Sequence, residues 1–163
     1  MPTAEHNCNE ITQRIMAAFA EVPWPYGSAV HINTPEEAMA ELEDILLRSD
    51  EAMKYMLPRI MCVAVTAAKP PLLERLLSRL LEFLDVDFYD PEGTNNPLKQ
   101  AKLRMFSGYT PAQAKAVWRW LKYVQAHFGL TDCQDYVASA LQYWNGKSNP
   151  PVSKGTGERR IGS

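Results

Sequence analysis

The chain has 163 residues, of which 46% are hydrophobic and 22% charged, and its formal net charge is -2 at pH 7. These values predict one water-soluble domain and exclude a chain too polar to form a core. The longest uncharged apolar run, residues 60–68, is about half as long as a membrane span, and the N-terminal residues lack a signal-peptide pattern. Cys8, Cys62 and Cys133 are widely spaced, which excludes a disulfide framework and favours a reducing cytoplasm.

In chain order, the first apolar stripe with helical spacing ends at EVPWPYGSAV, residues 21–30. The two prolines of this segment stop the helix and Gly27 allows a turn. Thr34, Pro35 and Glu37 form a capping box with proline at the first helical position, which predicts a second helix from about residue 35. The apolar stripes of these helices are Ile11, Ile15, Phe19 and Val22, then Ala38, Met39, Leu42, Ile45 and Leu46.

The middle of the chain predicts a buried helix followed by a leucine-rich one. Residues 50–67 are apolar nearly all round after Pro58, which is expected to kink or split this helix because proline lacks an amide donor. Leucines on one face predict the fourth helix, and the turn-forming segment 85–97 predicts a loop after it. These leucines are Leu72, Leu73, Leu76, Leu77, Leu80, Leu81 and Leu84.

Two longer helices are predicted near the C-terminus, over 111–128 and 132–145, after a short one at about 97–105. Each of the longer helices begins with a threonine-containing capping box. Gly129 and Gly146 suit the positions just after their ends. The capping boxes are residues 110–113 and 131–134.

The last part of the chain is polar and rich in glycine and proline, which predicts a disordered tail over residues 147–163. Residues 1–146 are therefore expected to form the folded part. Its fold class is predicted as all-α, a single compact domain of about six helices. Because the connections are short, most neighbouring helices are expected to be antiparallel.

Three segments in this order resemble a helical domain-of-unknown-function family numbered 6714. They are IMAAFAEVPWP at 15–25, SDEAMKYMLPRIM at 49–61 and FSGYTPAQAKAVWRWLKYV at 106–124. The resemblance implies a helical fold over about residues 15–128 and supplies no catalytic residue, because the family has no assigned activity. The matching positions are Ala18, Phe19, Val22 and Pro25; Ser49, Glu51, Ala52, Tyr55, Leu57 and Pro58; Phe106, Thr110 and Gln113.

The helix over 111–128 carries the main candidate interaction surface, formed by Lys115, Trp118, Arg119 and Lys122 opposite its apolar stripe. Basic residues beside an aromatic ring are able to hold a phosphate backbone and stack a base. A solvated face whose tryptophan is partly covered by a neighbouring helix is the simpler interpretation. An acidic protein partner is the alternative to nucleic acid. Because the chain is acidic overall and three cations attract weakly, a protein partner is favoured over nucleic acid.

Trp24 and Tyr26 form a secondary candidate surface. These residue types are common at protein interfaces. A corner that caps one end of the core is the simpler interpretation, because a joint between two helices needs the neighbouring prolines in any case.

No catalytic, cofactor-binding or metal-ligating residue is predicted. His6, His31 and His127 show no ligand spacing among themselves or with the cysteines. Cys62 lies in an apolar run and is expected to be a buried, inert thiol. The sequence therefore predicts neither a cofactor nor contact with a membrane.

The interpretation of function that best fits these patterns is a small, cytoplasmic, non-enzymatic bacterial protein-interaction module, with an immunity- or antitoxin-like inhibitor as one form. The alternative is a nucleic-acid-associated regulator that uses the basic helix face and the tail. A third possibility is an enzyme with an unrecognised site between helices. The tail's contribution to the second hypothesis would come from Lys147, Lys154, Arg159 and Arg160.

Overall fold

The computed structural model describes residues 4–27, 31–44, 48–66, 72–88, 96–128 and 133–149. Within these ranges the chain forms seven α-helices and no strand, which confirms the predicted all-α class with one helix more than expected. The helices are α1 (Ala4–Ala18), α2 (Pro35–Glu43), α3 (Asp50–Thr66), α4 (Leu72–Leu84), α5 (Pro97–Ser107), α6 (Pro111–His127) and α7 (Gln134–Ser148).

The helices share one hydrophobic core. α6 packs against both α1 and α7, and α3 contacts α1, α2, α4 and α5. α1 and α3 run antiparallel. The Cys8 thiol of α1 lies beside the Val65 carbonyl of α3. Thr12, one turn further along α1, lies beside Cys62, which is one turn before Val65 in α3. Every leucine of α4 from Leu73 to Leu84 is buried, as the apolar spacing predicts.

Two buried tryptophans connect pairs of helices through their indole nitrogens. Trp120 of α6 donates a hydrogen bond of 3.0 Å from Nε1 to the Met61 carbonyl of α3. Trp144 of α7 donates one of 3.1 Å to the Leu84 carbonyl at the end of α4. Both rings are fully buried, so these two bonds satisfy indole donors that would otherwise be costly inside the core.

The two threonine–proline helix starts are confirmed. Thr34 Oγ1 accepts from the Glu37 amide at 3.2 Å, and Glu37 Oε1 accepts from the Thr34 amide at 3.1 Å. Thr110 and Gln113 repeat this reciprocal arrangement at 3.1 and 3.0 Å. The Thr110 box therefore fixes where α6 begins.

The prediction for α7 is wrong at both ends. The helix begins at Gln134, with Cys133 at the N-cap and no side-chain capping bond, and the proposed cap Thr131 lies outside the described residues. Cys133 is buried with Sγ 3.6 Å from Ser78 Oγ, so we attribute the start of α7 to packing against α4.

At its C-terminal end α7 continues through Gly146 to Ser148, which is buried, so burial outweighs the helix-ending preference of glycine. The first two residues of the predicted tail, 147 and 148, are therefore helical. Residues 150–163 lie outside the described residues, as does Gly129.

Pro58 does not split α3, which runs without interruption from Asp50 to Thr66. The proline removes one main-chain hydrogen bond from the helix. Pro58 is buried, and so are the two residues before it, Met56 and Leu57. Packing on several sides therefore keeps the two halves of α3 in one helix.

Lys102 of α5 is buried, which is uncommon for a lysine side chain. Its Nζ donates to the Glu82 carbonyl at 2.7 Å and to the Asp85 carbonyl at 3.1 Å, at the C-terminal end of α4. Burial lowers the pKa of Lys102 from 10.5 to about 8, opposed by the Asp85 carboxylate. Burial also raises the pKa of Asp85, against a hydrogen bond of 2.6 Å from Ser139. The Lys102 ammonium group therefore supplies hydrogen-bond donors to carbonyl groups at the C-terminal end of α4, inside the protein.

Candidate functional site

The candidate residues of α6 lie on the outward side of the helix. Lys115 and Lys122 are exposed, and Trp118 and Arg119 are partly exposed. At about 100° per residue, these four positions fall within one side of a helix. The opposite side is buried in the core, as predicted, and consists of Ala116, Val117, Trp120, Leu121 and Val124. We call Lys115, Trp118, Arg119 and Lys122 the basic face.

The cations of the basic face differ from those of α5 in having no acidic partner within the described part of the chain. Lys115, Arg119 and Lys122 form no ion pair or hydrogen bond there. By contrast, each cation of α5 is engaged within the fold: Lys99 with Asp87 at 2.6 Å, Arg104 with Asp50 at 3.0 Å and Lys102 with main-chain carbonyls. The charge of α5 is thus used internally, whereas the charge of α6 remains available to solvent or a ligand.

Trp118 is the aromatic member of the basic face. Its ring packs partly against the core, and Lys122 Nζ lies 5.9 Å from the ring centre. This is within cation–π range for an exposed pair, and such a contact limits the freedom of the lysine side chain. Trp118 is therefore partly covered, and the rest of its ring surface is open.

A groove of about 300 Å³ adjoins the basic face, between α1 and α6. Arg14 Nη2 donates to Glu10 Oε1 across 2.6 Å inside this groove, and the two side chains are 46% and 49% exposed. Arg119 belongs both to the basic face and to the groove, so the two surfaces are continuous. The lining residues are Glu10, Ile11, Arg14, Arg119, Tyr123 and His127.

The aromatic wall of the groove is formed by Tyr123 and His127, whose ring centres are 4.5 Å apart at an angle of 35°. Burial raises the pKa of Tyr123, and the neighbouring Cys8 raises it further. The tyrosine therefore stays a neutral phenol at physiological pH. It supplies ring surface and a polar hydroxyl to this site but no charge.

Sequence reasoning identified Arg119 but missed Glu10, Arg14, Tyr123 and His127 as site residues. Their spacing is readable from the sequence: Glu10 and Arg14 are four residues apart, and Arg119, Tyr123 and His127 recur at intervals of four. The sequence alone does not show that α1 is the helix that packs beside α6. That pairing is what brings the two rows together.

The cysteines are placed as structural thiols. Burial raises the pKa of Cys62 to about 11, so this thiol is protonated at neutral pH. Cys8 Sγ donates to the Val65 carbonyl at 3.2 Å. Cys133 is buried beneath the start of α7. Cys62 is partly rather than fully buried, and its raised pKa agrees with the expectation of an inert thiol.

The secondary candidate residues form a corner with one exposed ring. Trp24 is partly buried; its ring packs edge-on against Tyr26 at 5.4 Å and at a tilt of 54° against Tyr55 at 5.3 Å. The Arg59 guanidinium lies 3.5 Å from the centre of the Tyr55 ring. Tyr26 is 50% exposed and donates to Ser49 Oγ at 2.8 Å. Trp24 thus packs as the corner interpretation expects, while Tyr26 faces solvent.

Within the described ranges, no three histidine, cysteine or acidic side chains converge as metal ligands would. No described helix combines the length and apolar character needed to cross a bilayer. No family model matches this chain, and no curated protein or solved structure is significantly similar to it. The resemblance to the family numbered 6714 stays a prediction.

Proposed function

We propose that the chain is a small, non-enzymatic protein-interaction module that binds an acidic segment of a partner protein through the basic face of α6. One observation carries this proposal: three cations without acidic partners in the described residues surround a partly exposed tryptophan on one helix face. Tryptophan and arginine dominate the energetics of many protein interfaces, and complementary charge directs the encounter.

A protein partner fits this face better than nucleic acid does. The chain carries a net charge of -2, and the basic face holds only three cations, so its attraction for a phosphate backbone is weak at physiological salt. An acidic peptide gains from both the cations and the ring of Trp118, because its own apolar side chains can cover that ring.

The two buried charged groups with changed pKa values are placed for stability rather than for catalysis. Lys102 and Asp85, whose pKa values burial changes, are turned inward to the end of α4 and are buried. Small inhibitors of the immunity or antitoxin type are one form of such a module. A toxin gene beside the gene for this chain would point to the partner.

The proposal predicts binding of a fluorescein-labelled peptide that alternates glutamate and leucine, measured by fluorescence anisotropy. Affinity should fall as salt is added, because exposed charges are screened. Replacing Lys115 and Lys122 together by glutamine should weaken binding by about tenfold, since each exposed ion pair contributes at most about 1 kcal/mol. The matching glutamine peptide should not bind measurably.

The matched control for this variant is the double substitution Arg75→Gln and Arg79→Gln on α4. Both of these arginines are exposed, and their replacement removes the same charge from another helix. If the control substitutions weaken peptide binding equally, the peptide is attracted by the net charge of the chain rather than by the basic face. Tighter binding of a labelled single-stranded oligonucleotide than of the acidic peptide, at physiological salt, would contradict the proposal in favour of a nucleic-acid partner.

A further inference from the structure

The groove between α1 and α6 holds an arginine that already binds a carboxylate. Arg14 Nη2 and Glu10 Oε1 are 2.6 Å apart, a short, charge-assisted hydrogen bond. Both side chains are about half exposed, so the pair is in contact with solvent and is replaceable at little cost. The pair shows that the Arg14 guanidinium lies where it can hold a carboxylate in this groove.

From these contacts we infer that the groove is a carboxylate-binding subsite, in which Glu10 holds the place of an aspartate or glutamate side chain of the partner. This inference rests on the proposed function, because it names the part of the interface that takes the partner's acidic group. Binding of the partner then exchanges one carboxylate for another at Arg14, and Glu10 acts as an internal competitor.

The arginines of the groove are suited to this exchange. Arg14 of α1 and Arg119 of α6 both line it, and Glu10 is the one acidic residue among its lining side chains. Arg14 makes a single hydrogen bond, to Glu10, and Arg119 makes none in the described part of the chain. A guanidinium offers five N–H donors in a planar fork that matches a carboxylate. Donors therefore remain for an incoming acidic side chain.

The size and walls of the groove agree with a side chain as its occupant. Its volume of about 300 Å³ is enough for a single amino-acid side chain. Ile11, which is buried, and the ring of Tyr123 provide apolar surface for the methylene groups of that side chain. Because Arg119 also belongs to the basic face, an acidic segment lying along α6 can place one carboxylate in the groove.

The test uses the labelled glutamate–leucine peptide and three variants of the full chain. Glu10→Gln removes the competing carboxylate, so it should tighten binding by about threefold, a change typical of an exposed ion pair. Arg14→Gln should weaken binding by a similar factor. Glu74→Gln is the control, because it makes the same charge change at an exposed site on α4. Melting temperatures confirm that each variant is folded.

The outcomes separate this inference from the proposed function. Tighter binding by Glu10→Gln than by Glu74→Gln, together with weaker binding by Arg14→Gln, supports the inference. Equal effects of Glu10→Gln and Glu74→Gln would overturn it, while loss of binding on changing Lys115 and Lys122 would leave the proposed function intact. A wild-type chain that does not bind the peptide overturns both. Preference for a phosphoserine version of the peptide overturns the carboxylate assignment.

Discussion

Replacing Trp144 by alanine is expected to lower the free energy of unfolding by about 3–5 kcal/mol. The side chain is fully buried, so its removal leaves a large cavity. It also packs against Phe106 at 4.7 Å and Tyr109 at 5.7 Å, contacts that join α7 to the region between α5 and α6. Loss of the Nε1 bond leaves the Leu84 carbonyl without that donor.

Urea unfolding followed by circular dichroism measures this effect, with Trp118→Ala as the control. Trp118 is only partly buried, so its loss should cost clearly less than that of Trp144. Equal destabilisation by the two substitutions would contradict the placement of Trp144 at the centre of the core and of Trp118 on the surface.

Replacing Lys102 by methionine is expected to destabilise the protein by about 2 kcal/mol, although methionine is apolar and has a similar length. The substitution leaves the Glu82 and Asp85 carbonyls without the ammonium donor, and an unsatisfied buried acceptor costs about 1–3 kcal/mol. Relief of the desolvation of the buried charge offsets part of this loss. Lys115→Met, at an exposed position, should change stability by about 0.5 kcal/mol or less.

The pH dependence of this difference identifies its cause. The folded-state pKa of Lys102 lies at about 8, below its ordinary value of 10.5, so between these values the unfolded chain binds the proton more strongly. The stability of the wild type therefore rises with pH in this range, by up to about 1.4 kcal/mol per pH unit, and the methionine variant lacks this rise. The raised pKa of Cys62 acts in the opposite sense above pH 9.

Unfolding of both proteins between pH 8 and 9 is the measurement that isolates Lys102. The stability difference between wild type and Lys102→Met should widen across this interval. A difference that stays constant would mean that Lys102 titrates at the same pH in the folded and unfolded chains, which would contradict its burial.

Features that depend on one helix at a time were predictable from the sequence. The outward position of Lys115 and Lys122 follows from the period of α6 and from its apolar stripe on the opposite side. The buried leucines of α4 follow from the same rule. Local spacing is sufficient here because a helix determines its own faces.

Features that depend on how helices meet were not predictable. In the sequence, nothing distinguishes Lys102 from a surface lysine. Only the packing of α5 beside the end of α4 makes it a buried donor. α7 begins at Gln134 with the buried Cys133 at its N-cap and no side-chain capping bond. The groove requires α1 beside α6, a pairing between segments about one hundred residues apart in the chain.

The most direct test of the proposed interface is a map of backbone amide chemical shifts during titration of the isotope-labelled chain with the glutamate–leucine peptide. We expect the largest shift changes in α6, around Lys115 to Lys122, and in α1, around Glu10 to Arg14. Amides of α4 should change little. Changes concentrated on α4 or on the acidic helix α2, with α6 unaffected, would contradict the proposed interface.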